Sequence, residues 1–361
     1  MKNIIKLGNK QNIDDFVSKV KGKKPLFICV LGNTETAKIP GISAAGANPE
    51  ITDYTPAADV EYLYFSKCKC IDGVPITPDG IPTPGLITKA SLSLAEIPLM
   101  VAVGGLRILP KTPYIEFGGK PGGDISNGQA VDSSVNAYEN ARIFGENLAK
   151  TIDYLVIGES IAGGTTTALG VLTAMGIDAM DKISSSLPVN PIDLKIKIVN
   201  SGLQNKNLQK GDLRDKPFKA IEFLGDPMQP VFAGLVVGVA KRVPVVLAGG
   251  TQMTAILAII NSIDPTILDN VAIGTTSWII SDENTDLKGI VDQINPSIPI
   301  LAANLNFSEM KHNGLKAYEQ GIVKEGVGAG GSAIACMLST DCKITINHIH
   351  RKIEENYEKI I

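Results

Sequence analysis

Pro25-Leu-Phe-Ile-Cys-Val-Leu31, closed by Gly32-Asn33-Thr34, is the stretch on which the fold turns. An uninterrupted apolar run of this length, bounded by turn residues, suits a strand covered on both faces, as in a parallel sheet. The pattern recurs at residues 99–103 before Gly104-Gly105, and at 154–157 before Gly158-Glu159-Ser160. It returns at 245–247 before Ala248-Gly249-Gly250, at 271–273 before Gly274-Thr275-Thr276-Ser277, and at 298–301 before Ala302-Ala303-Asn304. Such runs, most of them separated by helix-length segments, predict an α/β fold: a Rossmann-like, mainly parallel sheet flanked by helices. Ligands in such folds sit at the carboxyl ends of the strands, where these Gly, Ser and Thr residues fall.

The rest of the chain fits a large core. It has 361 residues, 44% hydrophobic and 20% charged, with a net charge of −3. That length suits one large domain or two ordinary ones, and the charge advertises no surface for nucleic acid. Five cysteines are scattered without a CxxC pair, and Cys68-Lys-Cys70 has no second pair to complete a zinc site. Reduced thiols, no signal peptide at the N-terminus and apolar runs broken before membrane length predict a cytoplasmic protein with no membrane partner.

Residues 1–24 read as helical, with Ile13, Phe16 and Val20 at helical spacing, and so do the charged residues after Lys343. A Pro- and Gly-dense stretch over 71–85 reads as an ordered surface loop. Residues 204–219 are polar and read as an exposed connection or a lid. Residues 116–124 form a second loop, before a helix expected to be capped by Asp132 or by Ser133-Ser134.

Three stretches bear on chemistry. Glu325 stands at the mouth of Gly326-Val-Gly328-Ala-Gly330-Gly331, which lets the backbone approach a ligand closely and opens a helix whose N-terminus favours anions. There Glu325 is a candidate base, and the same residues also read as a tight turn with an exposed acid. Residues 158–167, Gly-Glu-Ser-Ile-Ala-Gly-Gly-Thr-Thr-Thr, match neither the Walker nor the dinucleotide fingerprint, yet place N–H groups and hydroxyls at a helix start, where a phosphate or a plain N-cap is served. Asp226 in Gly225-Asp226-Pro227 caps the next helix or orients a sugar hydroxyl, the cap being preferred. His348 and His350 read as solvated, and Trp278 as core or pocket wall. No metal site and no Ser-His-Asp set emerges.

In order along the chain, the 158–166 block, residues 231–250 ending Leu247-Ala248-Gly249-Gly250, and Lys324-Glu325-Gly326-Val327-Gly328-Ala329 resemble the nicotinate-nucleotide:dimethylbenzimidazole phosphoribosyltransferase family, nearest its archaeal branch. The resemblance covers roughly residues 100–340. It implies transfer of phosphoribose from nicotinate mononucleotide to an aromatic nitrogen base (dimethylbenzimidazole, adenine or similar), giving an α-ribotide for cobamide assembly, with no cofactor and no metal. It implies Glu325 as general base. It places Gly163, Gly164, Thr165 and Thr166, with Ser277, on the 5′-phosphate, Glu159 near the ribose and Lys195 facing the nucleotide. Gly326 and Gly328 belong to the same nucleotide site. It further implies a homodimer, and a large domain over 25–335 with a small helical lobe from 1–24 and 336–361. The chain departs from the family where Gly164 replaces Asn, Ala248 replaces Asp, and Gly274-Thr275-Thr276-Ser277 replaces Gly-His-Arg-Ser. Two rival readings are a different nucleotide-processing enzyme on the same scaffold and a nucleotide-binding protein without turnover.

Overall fold

All six apolar runs are strands in the computed structural model, which describes residues 3–44, 50–77 and 79–361. Residues 1–2 of the expected N-terminal helix and Pro78 of the 71–85 loop lie outside the described residues. The strands are β1 (Ile4–Leu7), β2 (Pro25–Gly32), β3 (Leu99–Gly105), β4 (Ile115–Glu116), β5 (Tyr154–Ser160), β6 (Val245–Ala248), β7 (Val271–Thr276) and β8 (Ile300–Ala303). Among the described residues they make one sheet in the order β1-β8-β7-β6-β5-β2-β3-β4. Every neighbouring pair is parallel except β1 with β8. The chain leaves β2 toward β3 and β4, then crosses back to lay β5 to β8 on the other side. The crevice at that reversal, above the carboxyl ends of β2 and β5, is where doubly wound sheets bind ligands.

The run 25–31 is unbroken because its two faces serve two cores. Leu26, Ile28 and Val30 join one apolar cluster, and Phe27, Cys29 and Leu31 the other. Helices in chain order are α1 (Lys10–Val20), α2 (Thr55–Phe65), α3 (Gly85–Leu94), α4 (Val135–Leu148), α5 (Gly164–Ala174), α6 (Ile192–Asn205) and α7 (Pro217–Leu224). They continue as α8 (Met228–Ala240), α9 (Met253–Ile263), α10 (Ser277–Ser281), α11 (Leu287–Ile294), α12 (Asn313–Lys316), α13 (Ala329–Ser339) and α14 (Ile346–Tyr357). The first cluster is closed by α4 to α9 and α11, the second by α1, α2, α3, α13 and α14. The helical parts of the terminal segments therefore bury Phe16, Val20, Ile349 and Ile353 in the same cluster as Phe27 and Leu31.

Several boundaries differ from the sequence reading. Residues 4–7 are a strand, not helix: β-branched Ile4 and Ile5 pair with β8, and Gly8 at φ +122 ends the strand. Helix begins only at Lys10, where the Asn9 side chain accepts from Gln11 N at 2.9 Å. Ser134 occupies the N-cap position of α4, but its hydroxyl turns to Phe218 O and Glu222 rather than to the helix. Residues 204–219 run from the end of α6 into α7, and bond back through Gly211 N and Leu213 N to Thr173 O and Ala174 O. Those carbonyls end α5, about 16 Å from its N-terminus by helical rise, so this segment is a connection and not a lid over the site described below. His350 is half-buried, edge-on to Phe307, rather than solvated. Trp278 is core, against Phe307 and Tyr318, with its indole N–H donating to Glu319 at 2.9 Å. No helix among the described residues is long and apolar enough to cross a membrane.

Candidate active site

A cleft of about 1010 Å³ opens above β5 and β6. Its floor is Glu159 and Ser160, which are the last residues of β5 itself rather than a loop after it. The start of α5, residues 250–252 after β6 and residues 323–327 before α13 close three sides. A small hairpin with Ile76 paired to Pro82 overhangs the fourth. It is pinned from beneath: the Tyr318 hydroxyl donates to Pro82 O at 2.8 Å, the Tyr357 hydroxyl to Gly80 O at 2.7 Å, and Thr83 Oγ1 to Asp59 Oδ1 at 2.8 Å.

Glu325 faces this cleft, half-buried, with its carboxylate across the N-terminus of α13. It accepts from Gly330 N at 3.1 Å and from Gly326 N at 3.3 Å. Those donors favour the charged form, but burial outweighs them and pushes the carboxyl up to about 7. The loop around it is conformationally strained, since Val323 and Val327 sit at φ +54 and +53, a region β-branched residues avoid. Hydrogen bonds hold the strain in place: Val327 N to Glu159 O at 3.0 Å, Thr88 Oγ1 to Val327 O at 2.8 Å, and Val323 N to Ser186 O at 3.2 Å. Such over-determined outliers cluster at functional sites.

The glycines here serve packing as well as approach. A Cβ on Gly330 would lie 2.0 Å from the Thr275 carbonyl carbon, and one on Gly331 2.3 Å from Ala248 Cβ. A Cβ on Gly158 would lie 2.8 Å from Gly328 Cα. Backbone thus rests directly on the ends of β5, β6 and β7, and Ala248 is small because α13 begins on top of it. Gly326 lines the cleft; Gly328 lies beneath, out of the lining.

Helix α5 presents the second polar feature. Gly163, at φ +74, is its N-cap, so Gly164, Thr165 and Thr166 form its first turn rather than a loop. Thr166 N and Thr167 N return to Gly163 O, while Gly164 N and Thr165 N have no acceptor among the described residues. Both residues line the cleft, giving it a helix N-terminus with open donors. Thr166 is buried, with a hydroxyl that has no partner among the described residues. Gln252 occupies the space that a side chain at 164 would need: a Cβ on Gly164 would sit 2.3 Å from its Oε1.

Three more carboxyls crowd beneath. Glu159, 2% exposed, accepts from Ile161 N at 3.0 Å and contacts the Gln252 amide at 2.5 Å. Burial first, then Asp226, Glu325 and Asp59, push it up to about 8. Asp59 holds Ser160 Oγ at 2.7 Å, and Asp226 takes Thr167 Oγ1 at 2.5 Å and Met228 N at 3.0 Å. Burial raises each of these two to about 6. Asp226 is therefore a helix cap, the preferred reading, and it ties α8 to α5.

Lys195 and Ser277 lie outside the lining. The Lys195 ammonium, wholly buried, donates to Ser184 O at 2.7 Å, and burial and then Lys324 lower it to about 7. It supports the wall made by Ser184, Ser185 and Ser186 from behind. Ser277 Oγ donates to Leu305 O at 2.7 Å. Cys70 lines the rim in a loop whose amides, with Lys111 N, converge on the buried Glu61 carboxylate. Burial pushes both Cys68 and Cys70 up to about 12, so neither is a ready thiolate. Among the described residues no three His, Cys, Asp or Glu side chains are grouped to hold a metal ion.

Curated relatives span this whole architecture. A UPF0284 protein of Sulfolobus acidocaldarius is 46% identical over 353 residues, covering 96% of this chain and 100% of its own. One from Methanothermobacter thermautotrophicus is 45% identical over 345 residues, covering 94% of each chain. The chain belongs to the UPF0284 family. No protein-family model matches it. Among solved structures, CobT from Thermus thermophilus superposes with a TM-score of 0.58 at 14% identity, covering 91% of this chain and 90% of that one. Nicotinate-nucleotide-dimethylbenzimidazole phosphoribosyltransferase from the same organism gives 0.57 at 15% identity, covering 93% and 92%. This UPF0284 chain therefore has the CobT fold.

Three cleft elements were not singled out from the sequence. Ser184-Ser185-Ser186 carried a signal as a hydroxyl run, and Thr251-Gln252 as polar residues just after a strand and Gly-Gly. Asp59 carried none, being one acid in an otherwise ordinary helix.

Proposed function

We propose that this protein transfers phosphoribose from nicotinate mononucleotide to an aromatic nitrogen base, forming an α-ribotide of the kind used as a cobamide lower ligand. The observation that carries this is a base and an anion site in one cleft. Glu325, held near neutrality, opens onto the same cleft as the open N-terminus of α5. The 5′-phosphate would lie on Gly163, Gly164 and Thr165, with hydroxyls from Ser185 and Ser186 across the cleft. One ring nitrogen of the acceptor attacks C1′ of the ribose with its lone pair. The bond from C1′ to the pyridinium nitrogen breaks, and its electrons leave with nicotinate. Glu325 takes the proton released from the other ring nitrogen of the acceptor. Because the pyridinium is a good leaving group, orientation and proton removal are the work left to the protein. Glu159 would lie beneath the ribose. Lys195 would act through the Ser184 carbonyl rather than on the nucleotide.

The test is to incubate the protein with nicotinate mononucleotide and a panel of azoles and adenine, and to assay free nicotinate and ribotide. Release with one base supports the transferase and names its acceptor. Binding without release from any of them would favour a nucleotide-binding protein without turnover.

A further inference from the structure

Glu159 and Gln252 touch in a way their usual roles do not explain. Glu159 Oε1 and the Gln252 amide lie 2.5 Å apart, a close hydrogen bond whichever of the two groups donates. The other end of the same amide, against Gly164, is buried and has no partner among the described residues. An amide has the same shape when its oxygen and nitrogen are exchanged, so the hydrogen-bond network decides its orientation. Around Glu159 the ionisable neighbours are Asp59 of α2, Asp226 ahead of α8, Glu325 ahead of α13 and Cys29 of β2, with no cation among them. Burial and three acids favour the protonated carboxyl. Its Oε2 already accepts from Ile161 N, so the proton belongs on Oε1, where the Gln252 amide is the group in reach.

We propose that Glu159 and Gln252 act as one acid–amide unit, in which the Glu159 O–H donates to the Gln252 carbonyl and turns the Gln252 NH₂ toward Gly164 and the open N-terminus of α5. There the NH₂, buried behind Gly164, turns the positive end of the amide dipole toward the anion site, deepening the reading above. Gly164 is the residue that leaves room for it. Loss of the Glu159 proton would put a negative charge under the anion site and withdraw the reason for the amide's orientation. Glu159 and Gln252 thus set the affinity for the anion and its limit at alkaline pH.

The acid half is tested without any ligand, by carbon-13 NMR of the intact protein labelled at glutamate carboxyls, with Glu159→Gln for assignment. The expected result is a resonance that stays protonated at neutral pH and titrates near 8. Titration in the ordinary carboxylate range would overturn the proposal. In Gln252→Leu that resonance should shift its titration; no change would remove Gln252 from the unit. The amide half is read by calorimetry with ribose 5-phosphate between about pH 7.5 and 9.5, a range in which a phosphate with a second pKa of about 6 keeps its charge. Affinity should fall by about tenfold in the wild type, and the fall should vanish in Glu159→Gln. A flat wild-type profile overturns the amide half. No binding at either pH overturns the phosphate-site reading together with the amide half, while the NMR titration still decides the acid half.

Discussion

At the scale of single residues, the proposed transfer rests on Glu325 for its chemistry and on Gly164 for its geometry. Glu325→Gln keeps the bonds to the α13 amides but cannot take a proton, so kcat should fall by about 10² to 10⁴ while nicotinate mononucleotide still binds. Turnover without such a loss would remove Glu325 from the base role. Wild-type kcat/KM against pH should be bell-shaped: it rises as Glu325 ionises near 7 and falls as Glu159 loses its proton near 8. With values this close, the two limbs belong to the coupled pair. Gly164→Ala places a methyl against the Gln252 amide and should weaken ribose 5-phosphate binding; a variant that binds it unchanged would show that Gln252 does not need that space. The sequence made Gly164 look like a loss, since the resembled family has Asn there. Only the folded structure shows the Gln252 amide, from another strand end, packed against Gly164.

At the scale of elements, the start of α13 is set by contact between backbones. Gly330→Ala forces a methyl to within 2.0 Å of the Thr275 carbonyl carbon, which neither β7 nor the helix can relieve by a rotamer change. Overpacking of this kind costs about 1–3 kcal/mol, and thermal melting should show a drop of about 1–4 °C along with reduced activity. An unchanged melting point would mean that α13 can lift from the sheet, and the site would then be less rigid than its strained valines imply. Six of the eight strands among the described residues were legible because burial on both faces removes polar residues and leaves continuous apolar runs. β1 was not: it is four residues long, at an edge, and paired only on one side. β4 was not, having two residues. The segment 204–219 looked equally apt as lid or connection, and its place at the far end of α5 is a matter of bonds to Thr173 and Ala174 that no local pattern encodes.

For the whole molecule, four carboxyls gathered under one cleft make stability depend on pH. Asp59, Asp226, Glu325 and Glu159 all have values raised in the folded state, to about 6, 6, 7 and 8. A raised acid binds its proton more tightly when folded, so its contribution is complete below its unfolded value and is lost as pH climbs through the folded one. The melting temperature of the ligand-free protein should therefore decline from about pH 5 toward pH 8, opposite to an acid held down by a salt bridge. Differential scanning fluorimetry should show this decline, and a shallower one in Glu159→Gln. A melting point that rises over the same range would mean that the cleft carboxyls are solvated and ordinary.

The sequence by itself determined the layers, the direction of the sheet and the edge at which a ligand would sit, because strand burial and turn residues are local patterns that survive without neighbours. It also marked Glu325 and the start of α5, since an acid beside glycines and hydroxyls at a helix start are local too. The tertiary structure alone decided which distant residues share the cleft: Asp59 from α2, Ser184 to Ser186 from the wall, and Gln252 from the end of β6. It also decided that Lys195 supports the wall from behind. The physical reason is that desolvation and like charge act through space. What pushes the Glu159 carboxyl up is burial first and then the company of Asp226, Glu325 and Asp59, and both exist only once the chain has folded.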